Sequence, residues 1–250
     1  MNKHIYENDF FTYVNTTSMR SAEYFLKVIK FPFPIESVID IGCGQGAWLN
    51  QWQKYTQDIY GIDGGYVNIN NLLIEHDNFK AADLTQYIDL GRKFSLVQCL
   101  EVAEHIDITF ADILVDNIIR HGDIILFSAA QPGQGGEFHV NEQPISYWVD
   151  KFSQRGYICF DYIRPQIKDI IDIEPWYRFN TIIFIQKDKL PSLQLDNNFM
   201  ATKVYSNYNF TTIISKKWLL RNRLLSYLPV NIITRLSKVK QHLLPLIKRT

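Results

Sequence analysis

The sequence predicts an α/β fold, in which a seven-stranded, mostly parallel sheet carries helices on both faces and is followed by a basic helical C-terminal appendage. Three observations predict it. Short apolar runs alternate with helical patterns along residues 36–186, the first run ends in a glycine-rich turn, and residues 197–250 hold ten basic residues and no acidic one. Alternation favours parallel pairing, because each crossover helix returns the chain to the same edge of the sheet.

The elements follow one another in a regular order. A helix is predicted over 18–30, where apolar residues from Ala22 to Ile29 recur at helical spacing, and the FPFP segment at 31–34 ends it. Strands are predicted at 36–41, 58–62, 79–82, 94–99, 123–129, 157–162 and 179–186, with helices at 47–56, 66–75, 108–120 and 144–154. Ligands of such open sheets bind at the carboxyl ends of the strands.

The most informative segment is VIDIGCGQGAW, which begins at Val38 and joins the first strand to the next helix. It places Asp40 near the end of the strand and glycines at Gly42, Gly44 and Gly46. Glycine suits a sharp strand-to-helix turn, since it adopts positive φ and lets a ligand approach the backbone. Dinucleotide sites have the pattern G-x-G-x-x-G. Here the third glycine comes one residue early, which gives D-x-G-x-G-x-G.

This pattern resembles the class I S-adenosylmethionine-dependent methyltransferases, and the resemblance covers roughly residues 36–186. It implies a Rossmann-like methyltransferase sheet and S-adenosyl-L-methionine as the cofactor. The glycine turn would pack against the methionyl and ribose part, and Asp40 would help to hold the turn and the amino group. Asp63, at the end of the second strand, is the candidate for the ribose hydroxyls. Asp83 and Leu84, after the third strand, would contact the adenine.

Two further segments extend the resemblance. LEVAEHI, at 100–106, resembles the part of many small-molecule methyltransferases that lines the cleft beside the methionine moiety, which adds Glu101 to the cofactor-binding residues. GGEFHVNEQPISYW, at 135–148, resembles a subset of bacterial and viral methyltransferases often found among glycan-building genes, and PWYRFN, at 175–180, resembles a companion segment. The loop at 129–148 contains closely spaced glycines and prolines, so we expect it to cap the acceptor pocket.

Methyl transfer needs an acceptor lone pair aligned behind the sulfonium methyl, and a hydroxyl acceptor must also lose its proton. Histidine can take that proton near neutral pH. His139 is therefore the first candidate for the catalytic base and His105 the second, with Glu101 or Glu104 as orienting partners. Other roles stay open: His139 could shape the loop through backbone hydrogen bonds, and His105 could form part of the cofactor pocket wall.

No metal site is predicted. The nearest group of acids outside the cofactor residues is Asp169, Asp172 and Glu174, and three acids in one short segment are more typical of a solvated rim. The three cysteines lie in or beside predicted strands without C-x-x-C spacing, which indicates buried, reduced thiols. No signal segment and no run of about 18 apolar residues is present, so a cytoplasmic location is predicted.

The charges divide the chain into two regions. The net charge is zero, but residues 197–250 carry +10 and residues 1–196 carry −10. We therefore predict a methyltransferase domain at 1–196 and a basic amphipathic tail at 197–250. Its apolar stripe at helical spacing comprises Ile232, Leu236, Val239, Leu243 and Ile247. The tail could bind the inner face of an anionic membrane, dock on a partner enzyme or pack on its own domain. Nucleic acid is not favoured, because bulky aliphatic residues interrupt the basic ones.

We expect an S-adenosylmethionine-dependent methyltransferase whose favoured acceptor is a sugar hydroxyl of a surface glycan or its precursor. A small-molecule or lipid-like acceptor, such as a quinone precursor, is the alternative that LEVAEHI and the apolar tail suggest. Outside enzymes, the alternative is an inactive cofactor-binding module whose tail tethers a glycosyltransferase, since binding and catalysis are separable.

Overall fold

The structure, a computed structural model, describes residues 8–229 and 232–235, with side chains from residue 15 onward. A seven-stranded sheet lies at its centre. The strands are β1 (Ser37–Ile41), β2 (Asp58–Asp63), β3 (Phe79–Ala81), β4 (Leu96–Leu100), β5 (Ile124–Ser128), β6 (Tyr157–Phe160) and β7 (Ile182–Gln186). Their order is β3-β2-β1-β4-β5-β7-β6, and β7 runs antiparallel to both neighbours while the other pairs are parallel. The predicted fold class is confirmed.

Helices flank both faces of this sheet. They are α1 (Asn8–Val28), α2 (Ala47–Trp52), α3 (Ala111–Arg120), α4 (Ile145–Ser153), α5 (Arg164–Ile167), α6 (Pro175–Asn180), α7 (Leu190–Leu193), α8 (Asn197–Met200) and α9 (Lys216–Leu225). Alternate residues of β1 belong to different core layers: Val38 packs with residues of α1 and α2, whereas Ile39 and Ile41 pack with residues of α3 and α4. Because both faces are covered, the strands read as nearly continuous apolar runs.

The predicted helix over 66–75 is wrong. The structure has only a short 3-10 helix there, Ile69–Asn71, and the Asn68 side chain accepts the backbone N–H of Asn70 at 3.0 Å. Asparagine side chains compete in this way with helical hydrogen bonds. The segment instead packs beside the glycine turn, where the N–H of Leu73 donates to the carbonyl of Gln45 at 2.8 Å.

The first part of the predicted tail packs on the domain. Phe199 is 1% exposed, and its ring centroid lies 4.8 Å from that of Phe160. The buried Arg164 pairs with Asp161 at 2.6 Å and donates to the carbonyl of Phe210 at 3.0 Å. The division of the chain at residue 196 stays a prediction, but residues 197–210 contribute to the core.

Helix α9 lies against the loop that follows β5. Arg221 Nη1 donates to the carbonyl of Gln134 at 2.7 Å. A Cβ added to Gly133 would lie 2.3 Å from the carbonyl oxygen of Asn222, so the helix backbone touches the loop backbone. Residues 236–250, which hold the predicted stripe residues Leu236, Val239, Leu243 and Ile247, lie outside the described residues.

Two other expectations concern the cysteines and membrane spans. Cys43, Cys99 and Cys159 are buried and free, as the sequence predicts. Burial raises the pKa of all three thiols well above the ordinary value, which keeps them in the protonated form. Within residues 8–229 and 232–235, no helix has the length and apolar character needed to cross a membrane.

Candidate active site

The glycine turn connects β1 to α2, and each of its three glycines has positive φ: +87° at Gly42, +56° at Gly44 and +86° at Gly46. A Cβ on Gly42 would lie 2.3 Å from the Val102 side chain, and one on Gly46 would lie 3.0 Å from Ile74. A Cβ on Gly44 would meet no atom of the described residues within 4 Å. Packing therefore requires two of the glycines, whereas Gly44 borders open space that a ligand can occupy.

Asp63, the last residue of β2, holds this turn in place. Its Oδ2 accepts the N–H of Gly44 at 2.6 Å, and its Oδ1 accepts the N–H of Gly64 at 2.6 Å and the hydroxyl of Tyr66. Burial raises the pKa of Asp63 above its ordinary value. Each carboxylate oxygen can accept about two hydrogen bonds, so Oδ2 of Asp63 can accept one more from a ligand. Displacement of the Tyr66 hydroxyl would free a second acceptor position, on Oδ1. Tyr66 was not among the predicted site residues, because no local sequence pattern marks it.

Asp40 lies on β1 beside Gln98 of β4 in the strand register, and it is 3% exposed. Burial and the charge of Asp63 together raise the pKa of Asp40 to about 8, against the hydrogen bond with Gln98, which lowers it. A cationic group beside this carboxyl would oppose the effect, since an opposite charge favours the ionised form. The position therefore suits an ammonium group.

Asp83 and Leu84 follow β3 next to the end of β2. The strand ends are joined by the N–H of Ala82, which donates to the carbonyl of Asp63 at 2.8 Å. Asp83 is exposed, and its Oδ1 accepts both the N–H and the hydroxyl of Thr85, at 2.9 and 2.7 Å. Leu84 is 7% exposed and belongs to the core. Their contact with an adenine stays a prediction.

Glu101 comes directly after β4 and has φ +56°. A positive φ is uncommon for a residue other than glycine, and residues with such strained backbone angles are found most often at functional sites. Its carboxylate accepts Gln134 Nε2 at 2.7 Å and Asn180 Nδ2 at 3.2 Å, and these two amides also bond to each other at 2.8 Å. Loss of solvation raises the pKa of Glu101. Gln134 and Asn180 were not predicted as site residues, although Gln134 lies in the loop at 129–148 that was expected to cap the acceptor pocket, and Asn180 lies in the segment at 175–180 that carries the resemblance.

His139 and His105 come together although 33 residues separate them in the chain. Their rings are perpendicular, with centroids 4.9 Å apart. His139 Nδ1 lies 2.8 Å from Oε1 of Glu142. The Glu142 carboxylate also accepts the N–H groups of Gly133 and Gly135, at 2.8 and 2.7 Å. Glu142 therefore fixes both the loop backbone and the imidazole ring, which leaves Nε2 as the second ring nitrogen of His139.

Glu104 anchors this loop to the end of β4. Its backbone carbonyl accepts the N–H groups of Val140 and Asn141, at 2.8 and 3.0 Å. Its side chain is 1% exposed, and within the described part of the chain Oε2 is buried without a hydrogen-bond partner. Burial raises the pKa of Glu104 well above its ordinary value, and the charge of Glu101 raises it further. Glu104, His105 and His139 form the group that could hold a metal ion among the described residues.

Comparisons with known proteins fit this geometry. Residues 17–121, which include α2, the glycine turn and Asp63, match the family model described as "Methyltransferase domain". This match and the fold support a methyltransferase. No curated protein matches the chain.

Solved structures share the methyltransferase fold. The sugar N-methyltransferase KedS8 from Streptoalloteichus sp ATCC 53650 aligns with a TM-score of 0.58 and 15% identity, over 75% of this chain and 95% of that chain. The small RNA methyltransferase HEN1 aligns with a TM-score of 0.51 and 17% identity, over 69% of this chain and 26% of that chain. At these identities the likeness concerns the fold.

S-adenosyl-L-methionine is the cofactor that the fold and the match to the family model support, and the residues present fit it. The open space in front of Gly44 admits a ligand to the backbone of the turn. Asp40 supplies a carboxyl for the amino group, and Asp63 supplies acceptors for ribose hydroxyls. These assignments of single residues to parts of the cofactor stay predictions.

Proposed function

We propose that the protein is an S-adenosyl-L-methionine-dependent O-methyltransferase, whose acceptor is a sugar hydroxyl of a surface glycan or its precursor. The bound cofactor supplies a methyl group on a positively charged sulfur. The protein must then place the acceptor oxygen in line with the breaking bond and remove its proton. The observation that supports a hydroxyl acceptor is the pair of His139 and Glu142, joined at 2.8 Å on the loop beside the cofactor residues.

The pair has the features of a general base. When Nδ1 of His139 carries its proton toward Glu142, Nε2 keeps a lone pair that can accept the hydroxyl proton. The carboxylate orients the ring and stabilises the imidazolium that forms. Both side chains are shielded, at 12% and 18% exposure, which strengthens their interaction. His105 is the second candidate, because its ring contacts that of His139.

The polar groups around Glu101 suit a sugar. Besides the bonds to the carboxylate, Gln131 Nε2 donates to Asn180 Oδ1 at 2.9 Å, so three carboxamides and one carboxylate form a network at the ends of β4 and β5. Carboxamides donate and accept, which matches the hydroxyl groups of a sugar. This chain shares its fold with KedS8, which is described as a sugar N-methyltransferase, and a sugar acceptor is compatible with that likeness.

We also propose that the tail places the enzyme on an anionic membrane surface. Leu220, Leu224 and Tyr227 recur at helical spacing on and after α9, and they are 60%, 60% and 74% exposed. Lys216 and Lys217 are exposed at the start of the same helix. Exposed apolar residues beside basic ones are typical of segments that lie in the membrane interface. A lipid-like acceptor would fit this location, and a partner glycosyltransferase is the alternative occupant.

The test is transfer of a labelled methyl group to a panel of sugars, with His139→Ala compared against the intact protein. If His139 is the base, kcat should fall about 10² to 10⁴-fold while the affinity for S-adenosyl-L-methionine stays unchanged. His76→Ala is the matched control, because His76 is exposed and lies outside the site. If His139→Ala loses cofactor affinity as much as it loses activity, His139 maintains the shape of the loop and is not the base. Methylation of the amino group of amino sugars in preference to a hydroxyl would refute the hydroxyl acceptor.

A further inference from the structure

We propose that Glu104, His105 and His139 bind one divalent transition-metal ion, and that this ion holds the acceptor hydroxyl. The inference rests on the proposed function and changes one part of it. His139 then acts as a ligand, and the ion takes over the activation of the hydroxyl. It also departs from the sequence-based expectation that the protein has no metal site.

The geometry fits one ion. Each of the three residues offers one ligand atom, and these atoms lie within 4.8 Å of one another. Ligand bonds to a first-row ion are about 2.0 to 2.2 Å long, so two ligand atoms of one ion lie at most about 4.4 Å apart. Ligand atoms in neighbouring coordination positions lie closer, about 3.0 to 3.4 Å apart, so side-chain movements of about an ångström complete the site.

The backbone already holds the ligands together. Glu104 and His105 belong to the short 3-10 helix that follows β4, whereas His139 comes from the loop after β5. The Glu104 carbonyl accepts the N–H groups of Val140 and Asn141, which directly follow His139. The cluster is consequently preformed and does not depend on closure of a distant segment.

A buried, unpartnered oxygen points independently to a ligand. Glu104 is 1% exposed, and its Oε2 has no hydrogen-bond partner among the residues that the structure describes. Buried polar atoms in folded proteins are nearly always satisfied, and a buried carboxylate is stabilised by a paired charge or a metal. An ion bound by Oε2 would supply the missing partner.

The contact between His139 and Glu142 supports the same conclusion. Metal-bound histidines commonly donate their other ring N–H to a carboxylate, which fixes the tautomer and the orientation of the ring. Here Nδ1 of His139 lies 2.8 Å from the Glu142 carboxylate, so Nε2 is the nitrogen available to an ion.

Two imidazoles and one carboxylate favour Mn²⁺, Fe²⁺, Co²⁺ or Zn²⁺ over Mg²⁺ and Ca²⁺, which prefer oxygen ligands. Three protein ligands leave coordination positions for the acceptor oxygen. The ion lowers the pKa of the hydroxyl that it holds. The O–H bond breaks and the proton passes to water. The oxygen lone pair forms a bond to the methyl carbon, and the methyl–sulfur bond breaks with its electron pair remaining on sulfur.

The test uses the full-length protein after treatment with a chelator. Mn²⁺ is added, and the unbound ion is measured by electron paramagnetic resonance, which does not depend on turnover. We expect one Mn²⁺ per chain, and Glu104→Gln should raise the Kd at least tenfold. His105→Ala should do the same, while His76→Ala should bind as the intact protein does. Circular dichroism and cofactor binding establish that each variant folds.

The outcomes separate this inference from the proposed function. Absence of Mn²⁺ and Co²⁺ binding up to millimolar concentration, or unchanged binding in Glu104→Gln, overturns the metal site. Full methyl transfer by the chelated enzyme overturns it too, and leaves the O-methyltransferase intact. Stoichiometric binding that Glu104→Gln abolishes supports the site even if no sugar hydroxyl is methylated, in which case the proposed function alone fails.

Discussion

Replacement of Asp40 by asparagine should stabilise the cofactor-free protein, and the gain should increase with pH. Asp40 is 3% exposed on β1, and burial raises its pKa to about 8. An aspartate in the unfolded chain ionises with a pKa of about 3.9. Between these values the folded protein retains a proton that the unfolded chain has lost. The free energy of unfolding therefore falls as the pH rises from about 4 to about 8.

The size of the effect follows from the difference between the two pKa values. About four pKa units correspond to about 5 to 6 kcal/mol, which is an upper limit. Rearrangement of polar groups around the charged carboxylate reduces it, and we expect about 1 to 3 kcal/mol at pH 8.5. Asparagine has nearly the same shape and carries no charge, so the variant avoids this loss. The corresponding rise in Tm is about 2 to 4 °C per kcal/mol for a protein of this size.

Thermal and urea unfolding of both proteins at several values between pH 5 and pH 8.5 measures this effect. Asp83→Asn is the matched control, because Asp83 is an exposed acid after the neighbouring strand β3 and an amide oxygen can still accept the Thr85 hydrogen bonds. The difference in the free energy of unfolding between Asp83→Asn and the intact protein should not grow between pH 5 and pH 8.5.

Cofactor binding supplies a second measurement on Asp40. If the carboxyl ionises beside the cofactor amino group, binding at pH 7 should release a proton, which calorimetry in two buffers of different ionisation enthalpy detects. Asp40→Asn should bind more weakly and release none. A stability advantage that does not grow between pH 5 and pH 8.5 would refute the assignment of a raised pKa to Asp40.

Three further predictions concern other parts of the molecule. Asp63→Ala should weaken binding of S-adenosyl-L-methionine by about 1 to 3 kcal/mol in calorimetry, through lost hydrogen bonds; unchanged affinity would exclude Asp63 from the site. Arg164→Met should lower the free energy of unfolding in urea by about 3 to 5 kcal/mol, because it leaves Asp161 buried and unpaired. Leu220→Ser combined with Leu224→Ser should abolish sedimentation with anionic vesicles at low salt and leave turnover on a soluble acceptor unchanged. Retained sedimentation of the variant would refute the role of these two leucines, and no sedimentation of the intact protein would refute membrane binding.

The fold could be predicted from the sequence where it depends on a local pattern. The spacing of Gly42, Gly44 and Gly46 identified the turn, because a sharp strand-to-helix connection restricts backbone angles over a few residues. The apolar run before Asp63 located the second strand end in the same way. Buried strands leave a continuous apolar signal that sequence analysis recognises.

Contacts between side chains of distant segments could not be predicted from the sequence. The bonds from Gln134 and Asn180 to Glu101 join residues 33 and 79 positions apart, which no local pattern encodes. The expected helix at 66–75 failed for a different reason. Its apolar residues have helical spacing, but Asn68 forms a competing hydrogen bond to the backbone.

The contact of α9 with the loop after β5 has a thermodynamic consequence. Arg221 and Asn222 touch the backbone at Gln134 and Gly133, on the loop that also carries His139. If the proposed membrane surface drew α9 away from the loop, it would have to break these contacts, so attachment and the position of the loop would share one free energy. By reciprocity, an acceptor that binds better while α9 contacts the loop would hold α9 in place and weaken attachment by the same factor. Under the membrane proposal, occupancy of the acceptor site and residence at the surface would therefore be linked quantities.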